Sequence, residues 1–436
     1  MSCSTRKIRT RISRRYKQLN ICLVTANYAP EIGSSAQIYQ DLANGFVKNG
    51  HTVHIITSYP REYTRTGDDK GSELPLDTME NGVHVHRVKH PSNRDSLILR
   101  GLEHFYLPLY YFKKYRSICK ENNIKFDACI HHIPPLPLYY LARVIKWYDK
   151  TPSILNMQDY HPQELTDVGF VTNPLMIAVL KFIEKRTYRN ADYLAVNSPG
   201  GIPYVVSRGA DESRVGTIFN PLSLDVIQNT SGDYKAKEGI EGKFLITYAG
   251  ILSPFQGIDT ILDAARLFEG RDDIIFYIVG DGMERTRLEK RVFDEQISNV
   301  RIKNFLPREE YVTLIRSSDV ALISLDERMK APCLPGKTIN IMAMGKPILA
   351  LVAADSETAS VVSSAKCGIV VPPSDVSRIA DAVSLLKEDG KLREQYGMAG
   401  REYLMKHMEQ SVVVRQYEEV IRTLNEKKEH KLQVNL

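Results

Sequence analysis

The sequence predicts an α/β protein made of two Rossmann-like, doubly wound domains with a cleft between them. Three observations carry that expectation. A strand, loop, helix, strand pattern opens at Leu19, the same pattern restarts at Lys243, and a polar, turn-rich interval from Asn220 to Gly242 separates the two. A chain of 436 residues has room for two or three such domains. Its composition, 43% AVILMFWYC and 25% DEKR, excludes a disordered, collagen-like or disulfide-scaffold protein.

The first half begins with the apolar run Leu19 to Thr25 (LNICLVT), followed by the turn-like NYAPEIGSS. Apolar residues then recur at helical spacing from Ala36 to Lys48 until Gly50 ends the helix, and Thr52 to Thr57 supplies the next strand. This is a βαβ unit, whose parallel strands present their carboxyl ends to a ligand crevice. Val83 to Val88, Ala128 to His132, Ser153 to Met157 and Tyr193 to Asn197 continue the strands, with helical segments between most of them.

In the second half Phe244 to Tyr248 is strand-like, Gly250 to Gly257 a loop and Ile258 to Phe268 a helix. Ile274 to Val279 is a strand that runs straight into Gly280-Asp281-Gly282. Val300 to Lys303, Val320 to Ser324, Ile348 to Ala350 and Gly368 to Val371 are the remaining expected strands, and the chain beyond Ser377 is nearly all helix-compatible. Asn220 to Gly242 reads as a linker because turn-forming residues break any period. The expected division is a basic extension over 1–18, a first domain over 19–225, a second over 226–410, and a closing helix with a polar tail over 411–436.

The net charge of +6 is local. Residues 1–20 carry seven basic side chains (Arg6, Lys7, Arg9, Arg11, Arg14, Arg15, Lys17) and no acidic one, which leaves the body near neutral. Such a head is a solvated tail or, second, a contact for anionic lipid; a neutral body gives no reason to expect nucleic-acid binding. No stretch reaches the roughly 18 apolar residues of a spanning helix, and the head has no apolar signal-peptide core, which leads to a cytoplasmic expectation. Six cysteines without a CxxC pair read as reduced thiols and argue against a zinc or disulfide framework.

Several motifs sit where strands end. In the loop Asn27 to Ser35, Gly33 lets backbone approach a ligand and the following helix start offers free N–H groups; a plain tight turn is the other reading, and the loop is not GxGxxG. Gly280-Asp281-Gly282 either exposes backbone to a nucleotide or simply starts the next helix. Gly336-Lys337-Thr338 has the letters of a P-loop, but the glycine required five residues earlier is Ala331, which argues against NTPase chemistry. Lys337 is left as a phosphate contact or a solvated lysine. Asn156 to Glu164 (NMQDYHPQE) gathers Gln158, Asp159, His161 and Glu164 at a strand's carboxyl end, with no familiar metal spacing and with a backbone hydrogen bond expected for His161. Leu97 to Arg116 interleaves aromatic and basic residues, as either core with a polar edge or a membrane-interface segment.

The order of these motifs resembles the family 4 glycosyltransferases of the GT-B fold, over roughly residues 19 to 425. YAPEIGSS with DLANGFVKNGHTVHIIT, YAGILSPFQGIDTILDAARLF, IVGDG and PGKTINIMAMGKPILA follow one another in the family order. Gln158 to Glu164, Ala249 to Gly257 and Pro335 to Lys337 are further similar to the branch that transfers N-acetylated amino sugars such as N-acetyl-fucosamine in O-antigen or capsule assembly.

The resemblance implies a retaining, metal-independent enzyme without a cofactor, taking a nucleoside diphosphate sugar, UDP-linked by preference. The acceptor it implies is a polyprenyl-linked or other glycan, met at the inner face of the plasma membrane. Donor contacts are expected at Gly250, Ser253, Gln256 and Gly257, at Gly282, Phe305, Leu306 and Pro307, and at Lys337, Thr338 and Asn340. Gly33, Ser34 and Gln158 are expected to line the acceptor side, with Asp159 as catalytic group. The closing helix is expected to cross back onto the first domain.

Two glutamates usual in the family fall at Pro332 and Asn340. Its phosphate-loop arginine and lysine fall at Ile251 and Gln256, and its histidine before the strand-end aspartate falls at Gln158. These departures keep open a non-catalytic scaffold of the same fold; a sugar-nucleotide 2-epimerase is the other alternative.

Overall fold

The computed structural model describes residues 17–31, 33–60, 73–91 and 97–434, with side chains in the last stretch described over 103–430. Most of the basic extension lies outside these residues. The first half runs β1 (Asn20–Val24), α1 (Ser34–Lys48), β2 (Thr52–Ser58), β3 (Asp77–Glu80), β4 (Val83–Val88), α2 (Leu97–Glu121), β5 (Ala128–Ile133) and α3 (Leu138–Asp149). It continues through β6 (Ser153–Met157), α4 (Gln163–Asp167), α5 (Pro174–Asn190), β7 (Tyr193–Val196), α6 (Gly201–Ser207) and β8 (Val215–Thr217). After α7 (Asp225–Asn229) and α8 (Tyr234–Glu238) come β9 (Phe244–Ala249), α9 (Asp259–Arg266), β10 (Ile274–Val279), α10 (Arg285–Asp294), β11 (Val300–Lys303) and α11 (Arg308–Ser317). The chain ends with β12 (Val320–Ser324), α12 (Gly336–Ala343), β13 (Ile348–Leu351), α13 (Glu357–Ser364), β14 (Gly368–Val371), α14 (Val376–Glu388), α15 (Gly390–His407) and α16 (Gln410–Val434).

One sheet has the order β3-β4-β2-β1-β5-β6-β7-β8, parallel except for β3, and the other has six parallel strands in the order β11-β10-β9-β12-β13-β14. Both are doubly wound. The order reverses between β1 and β5 in one and between β9 and β12 in the other, and each reversal opens a crevice at the carboxyl ends of the strands.

Alternation along the strands sorts the two faces of the first sheet. Cys22 and Val24 of β1 pack beneath α2, α3 and α5. Ile21 and Leu23 pack beneath α1 and α16. Strands β5, β9 and β10 are buried at every residue; β10 accordingly reads as an unbroken apolar run and β9 nearly so, whereas β5 buries His131 and His132 as well.

Two strands escaped the sequence reading: β3 is a four-residue antiparallel edge, and β8 (Val-Gly-Thr) has no apolar run to mark it. The interval read as a linker is instead built into the second domain. Ile227 of α7, Tyr234 of α8 and Ile240 are buried in its core, because three apolar residues suffice to anchor an otherwise polar stretch.

The chain crosses between the sheets twice, and the crossings touch. Leu222 donates its N–H to the Met408 carbonyl at 3.0 Å and accepts from Gln410 N–H at 3.1 Å. From there α16 packs on α1, burying Val413, Val414, Tyr417 and Ile421 against the first sheet. Among the described residues no helix is long and apolar enough to cross a membrane, and Cys22, Cys119, Cys129, Cys333 and Cys367 are free thiols.

Candidate functional site

The crevices of the two sheets face one another. On the first, Gly33 has φ +148°, a backbone that favours glycine, although a Cβ there would meet nothing within 4 Å. Ser34 then starts α1. Opposite stands Gly336, the first residue of α12; a Cβ on it would come within 2.4 Å of Ser34 Oγ. The first helix of one domain and the helix after β12 of the other thus meet at their amino ends.

Lys337 reaches from α12 to the loop after β9. Its Nζ donates to Gln256 Oε1 at 2.7 Å and lies 3.9 Å from the centre of the Tyr248 ring. The Tyr248 hydroxyl is 2.9 Å from both Gln256 Oε1 and the Ile251 carbonyl. Burial pushes the Lys337 ammonium down to a pKa of about 7, with Cys333 partly opposing the shift. A cation held by one neutral amide and a ring face is poorly compensated, so an arriving anion improves its surroundings. A Cβ on Gly250 would sit 3.0 Å from the same Nζ, which shows how closely that backbone approaches.

At the carboxyl end of β6, Asp159, His161 and Glu164 bring one donor atom each to within 4.8 Å of one another. Burial, then the Asp159 charge, hold the Glu164 carboxyl well above the usual carboxylate range, while Tyr160 N–H donates to its Oε1 at 2.8 Å. Burial keeps the His161 imidazole below its ordinary value. Among the described residues His161 takes no backbone partner, contrary to the hydrogen bond expected for it. An Asp, His, Glu set can ligate a divalent cation. Here one oxygen of Glu164 is already engaged by backbone.

Cys333 ties the two sides together. Burial raises its thiol, the charges of Glu164 and Asp159 raise it further, and Lys337 opposes them, so charged groups of both domains act on a single sulfur. Loops on both sides are bound to one another: Asp167 Oδ2 accepts from Lys330 N–H at 2.7 Å and Ala331 N–H at 3.2 Å, and Glu357 Oε1 accepts from Gly200 N–H at 3.0 Å.

Some expected site residues serve the frame. Gln158 is buried, donates to Asn156 Oδ1 at 2.6 Å and exchanges two 2.7 Å bonds with Asn220, so both ends of its amide are spent behind the cleft rather than in it. Gly282 has φ +152°, and a Cβ would strike the Leu252 carbonyl at 2.2 Å; glycine is needed there to pack two loops. Asn340 turns back to donate to its own Gly336 carbonyl at 3.2 Å, and the buried Thr338 hydroxyl has no protein partner among the described residues. Ser253 and Gly257 bracket the short 3-10 turn Pro254–Gln256, which sets Gln256 toward Lys337. Half-exposed Phe305, Leu306 and Pro307 precede α11 beyond β11.

Sequence reasoning missed Tyr248, Cys333, Asp167 and Glu357. Only Tyr248 carried a signal, as the one hydroxyl-bearing aromatic in the β9 run, one residue from its carboxyl end. The others act through loops that only folding brings together.

The chain matches the family models described as "Glycosyl transferases group 1" over residues 231–403 and "Glycosyl transferase 4-like domain" over 33–221. It is similar to the probable glycosyltransferase WbjE of Pseudomonas aeruginosa, 24% identical over 310 residues that cover 67% of this chain and 74% of that protein. Among solved structures it is similar to sucrose-phosphate synthase from Thermosynechococcus elongatus, with a TM-score of 0.74, 17% identity, and 94% of this chain and 100% of that one covered. It is also similar to HepE of Anabaena in complex with UDP-glucose, with a TM-score of 0.65, 13% identity, and 94% and 100% covered.

Proposed function

This chain belongs to the GT-B glycosyltransferases of family 4, and we propose that it is a retaining enzyme moving a sugar from a nucleoside diphosphate donor to a glycan or lipid-linked acceptor in cell-surface polysaccharide synthesis. The observation that carries the reading is Lys337, a partly desolvated cation at the start of α12, facing the first domain's Ser34 loop through Gly336.

The donor diphosphate takes the place of Gln256 on Lys337, with backbone from Gly250 to Gly257 beside it. As the glycosidic bond breaks, the leaving diphosphate gathers charge that the ammonium and these N–H groups stabilise by a few kcal/mol. Asp159 is the polar group on the acceptor side, with Glu164 beside it. No step calls for a metal ion. A uridine nucleotide is the favoured donor, supported by the UDP-glucose bound to HepE, and an N-acetylated amino sugar is the favoured group, supported by the motif likeness given above.

Incubating the full chain with a panel of sugar nucleotides, with and without a polyprenyl-linked acceptor, tests the reading. Acceptor-dependent nucleotide release is expected. Acceptor-free interconversion of sugar nucleotides would replace transfer with epimerisation. Nucleotide binding without turnover would favour the scaffold reading, for which Pro332 and Asn340 in place of the two family glutamates already speak.

A further inference from the structure

The segment between β12 and α12 leaves its own domain and comes back. Asp326 N–H donates to the Phe255 carbonyl at 2.9 Å, and Met329 N–H closes a turn on the Asp326 carbonyl at 3.0 Å. The chain then crosses the cleft, and Ala331 is buried in the apolar core of the first domain, the one that also holds Tyr160 and Val205. On the return, the Cys333 carbonyl accepts from Thr358 Oγ1 at 2.7 Å, and Leu334 is buried in the core of the second domain. Gly336 and Lys337 follow as the first turn of α12. Three residues carry the chain from one core to the other, so a displacement of Ala331 is passed on to Leu334 and to the start of α12.

The crossing is held by a carboxylate that its own domain has already oriented. Asp167 Oδ1 accepts from Gln163 Nε2 at 2.6 Å, Gln163 Oε1 accepts from Arg208 at 3.1 Å, and Arg208 lies 3.5 Å from the buried carboxylate of Glu184. That series of contacts stays within the first domain and leaves Asp167 Oδ2 for the second. There Oδ2 takes two successive backbone donors, Lys330 N–H at 2.7 Å and Ala331 N–H at 3.2 Å. Bonds to an ionised acceptor are stronger than neutral ones, and one oxygen serves both amides. A second tie runs beside it. Glu357, the neighbour of Thr358, accepts from Gly200 N–H at 3.0 Å, and a Cβ on Gly200 would lie 2.1 Å from its other oxygen.

Lys337 depends on where this strap lies. Gln256 and the Tyr248 ring cover its ammonium from the second domain, while Gly336 beside it is pressed against Ser34 of the first. Among the described residues the titratable groups facing the ammonium are Tyr248, from β9, and Cys333, from the strap. Burial outweighs the Cys333 charge there, so hydration sets the lysine's proton affinity. We propose that Asp167 is a positioning residue for Lys337: it pins the 326–335 strap to the first domain and so keeps the start of α12 covered without touching it. Water admitted by a lifted strap would return Lys337 to an ordinary lysine. The consequence for donor binding rests on the proposed donor reading; the consequence for the titration of the lysine does not.

NMR titration of the full chain labelled at lysine Cε, with Lys337→Ala assigning the resonance, tests it. Lys337 of the wild type should titrate at about 7. In Asp167→Ala that titration should move up by about one pH unit or more, toward the ordinary lysine value near 10.4. UDP-sugar affinity should fall about tenfold at neutral pH in the same variant, because the site is no longer preorganised, and the pH above which it declines should rise with the lysine. Asp167→Asn keeps the shape and one acceptor oxygen and should shift the lysine less, in the same direction. It decides the matter where thermal unfolding shows that Asp167→Ala is not folded. An unchanged Lys337 titration in a folded Asp167 variant overturns the proposal, and so does a wild-type Lys337 that titrates above about pH 9. A shifted titration with unchanged UDP-sugar affinity upholds the positioning role and removes the donor reading instead.

Discussion

Lys337 Nζ and Gln256 Oε1 stand 2.7 Å apart, a charged group held by a neutral amide where the family resemblance sets a second cation. The lysine's folded pKa of about 7 makes its charge conditional on what binds.

Donor affinity should therefore depend on pH with a definite sign. Burial lowers the pKa of the free lysine, and a bound diphosphate raises it, so binding takes up a proton wherever free Lys337 is neutral. Affinity for a UDP-sugar is expected to be flat below about pH 7 and to fall by up to about tenfold per pH unit above it. Calorimetry in buffers of different ionisation enthalpy reads the proton uptake. Lys337→Ala should weaken binding roughly 10- to 100-fold and abolish the slope; unchanged affinity would remove the phosphate site.

Asp159→Asn should lower turnover strongly while leaving donor affinity intact, because the residue lies on the opposite domain from Lys337. Steady-state kinetics beside equilibrium binding separate the two. Activity should also survive chelation by EDTA. Loss on chelation with recovery on adding a divalent ion would convert Asp159, His161 and Glu164 into a metal site.

Tyr417 should matter although it lies on the last helix. Its hydroxyl accepts from Asn156 Nδ2 at 2.9 Å, and Asn156 Oδ1 in turn accepts from Gln158, the residue before Asp159. Tyr417→Phe leaves a buried amide donor unpaired, at a cost of about 1–3 kcal/mol. Denaturant unfolding measures it, and a wild-type midpoint would show that the network is dispensable.

Asp41 offers a test in the other direction. Burial raises its carboxyl to about 6, against the opposing pull of Arg308 3.7 Å away and of Ser223 N–H. The native state then holds the proton more tightly than the unfolded chain does. Ionisation works against the fold: its cost is absent below about pH 4 and complete above about pH 6, on the order of 3 kcal/mol. Asp41→Asn should flatten stability across that window and leave stability at pH 7 equal or higher. A marked loss at pH 7 would mean that the charge on Asp41 is worth more to Arg308 than its burial costs.

Much of the fold was legible because its signals are local. Val83–Val88, Ser153–Met157, Ile274–Val279, Val300–Lys303, Val320–Ser324 and Gly368–Val371 are strands at the very residues where apolar runs meet turn formers. The site was legible only in outline. Strand-end position singled out Lys337, Asp159 and Gly33, yet nothing near Gln158 in the chain reveals that Asn220, 62 residues further on, engages both ends of its amide. Nor does the sequence around Gly282 show that the Leu252 carbonyl leaves no room for a β-carbon there.

By itself the sequence determined two doubly wound sheets and the loops that must line their crevices, because periodicity and turn chemistry act over a few residues. Tertiary structure alone decided that the charges of Asp159, Glu164 and Lys337 would all act on Cys333, and that Leu222 would pair with Met408 and Gln410 where the chain crosses twice. These depend on residues far apart in the chain meeting in a water-poor setting. There, burial changes the charge of a lysine or a carboxyl in ways that no local pattern encodes.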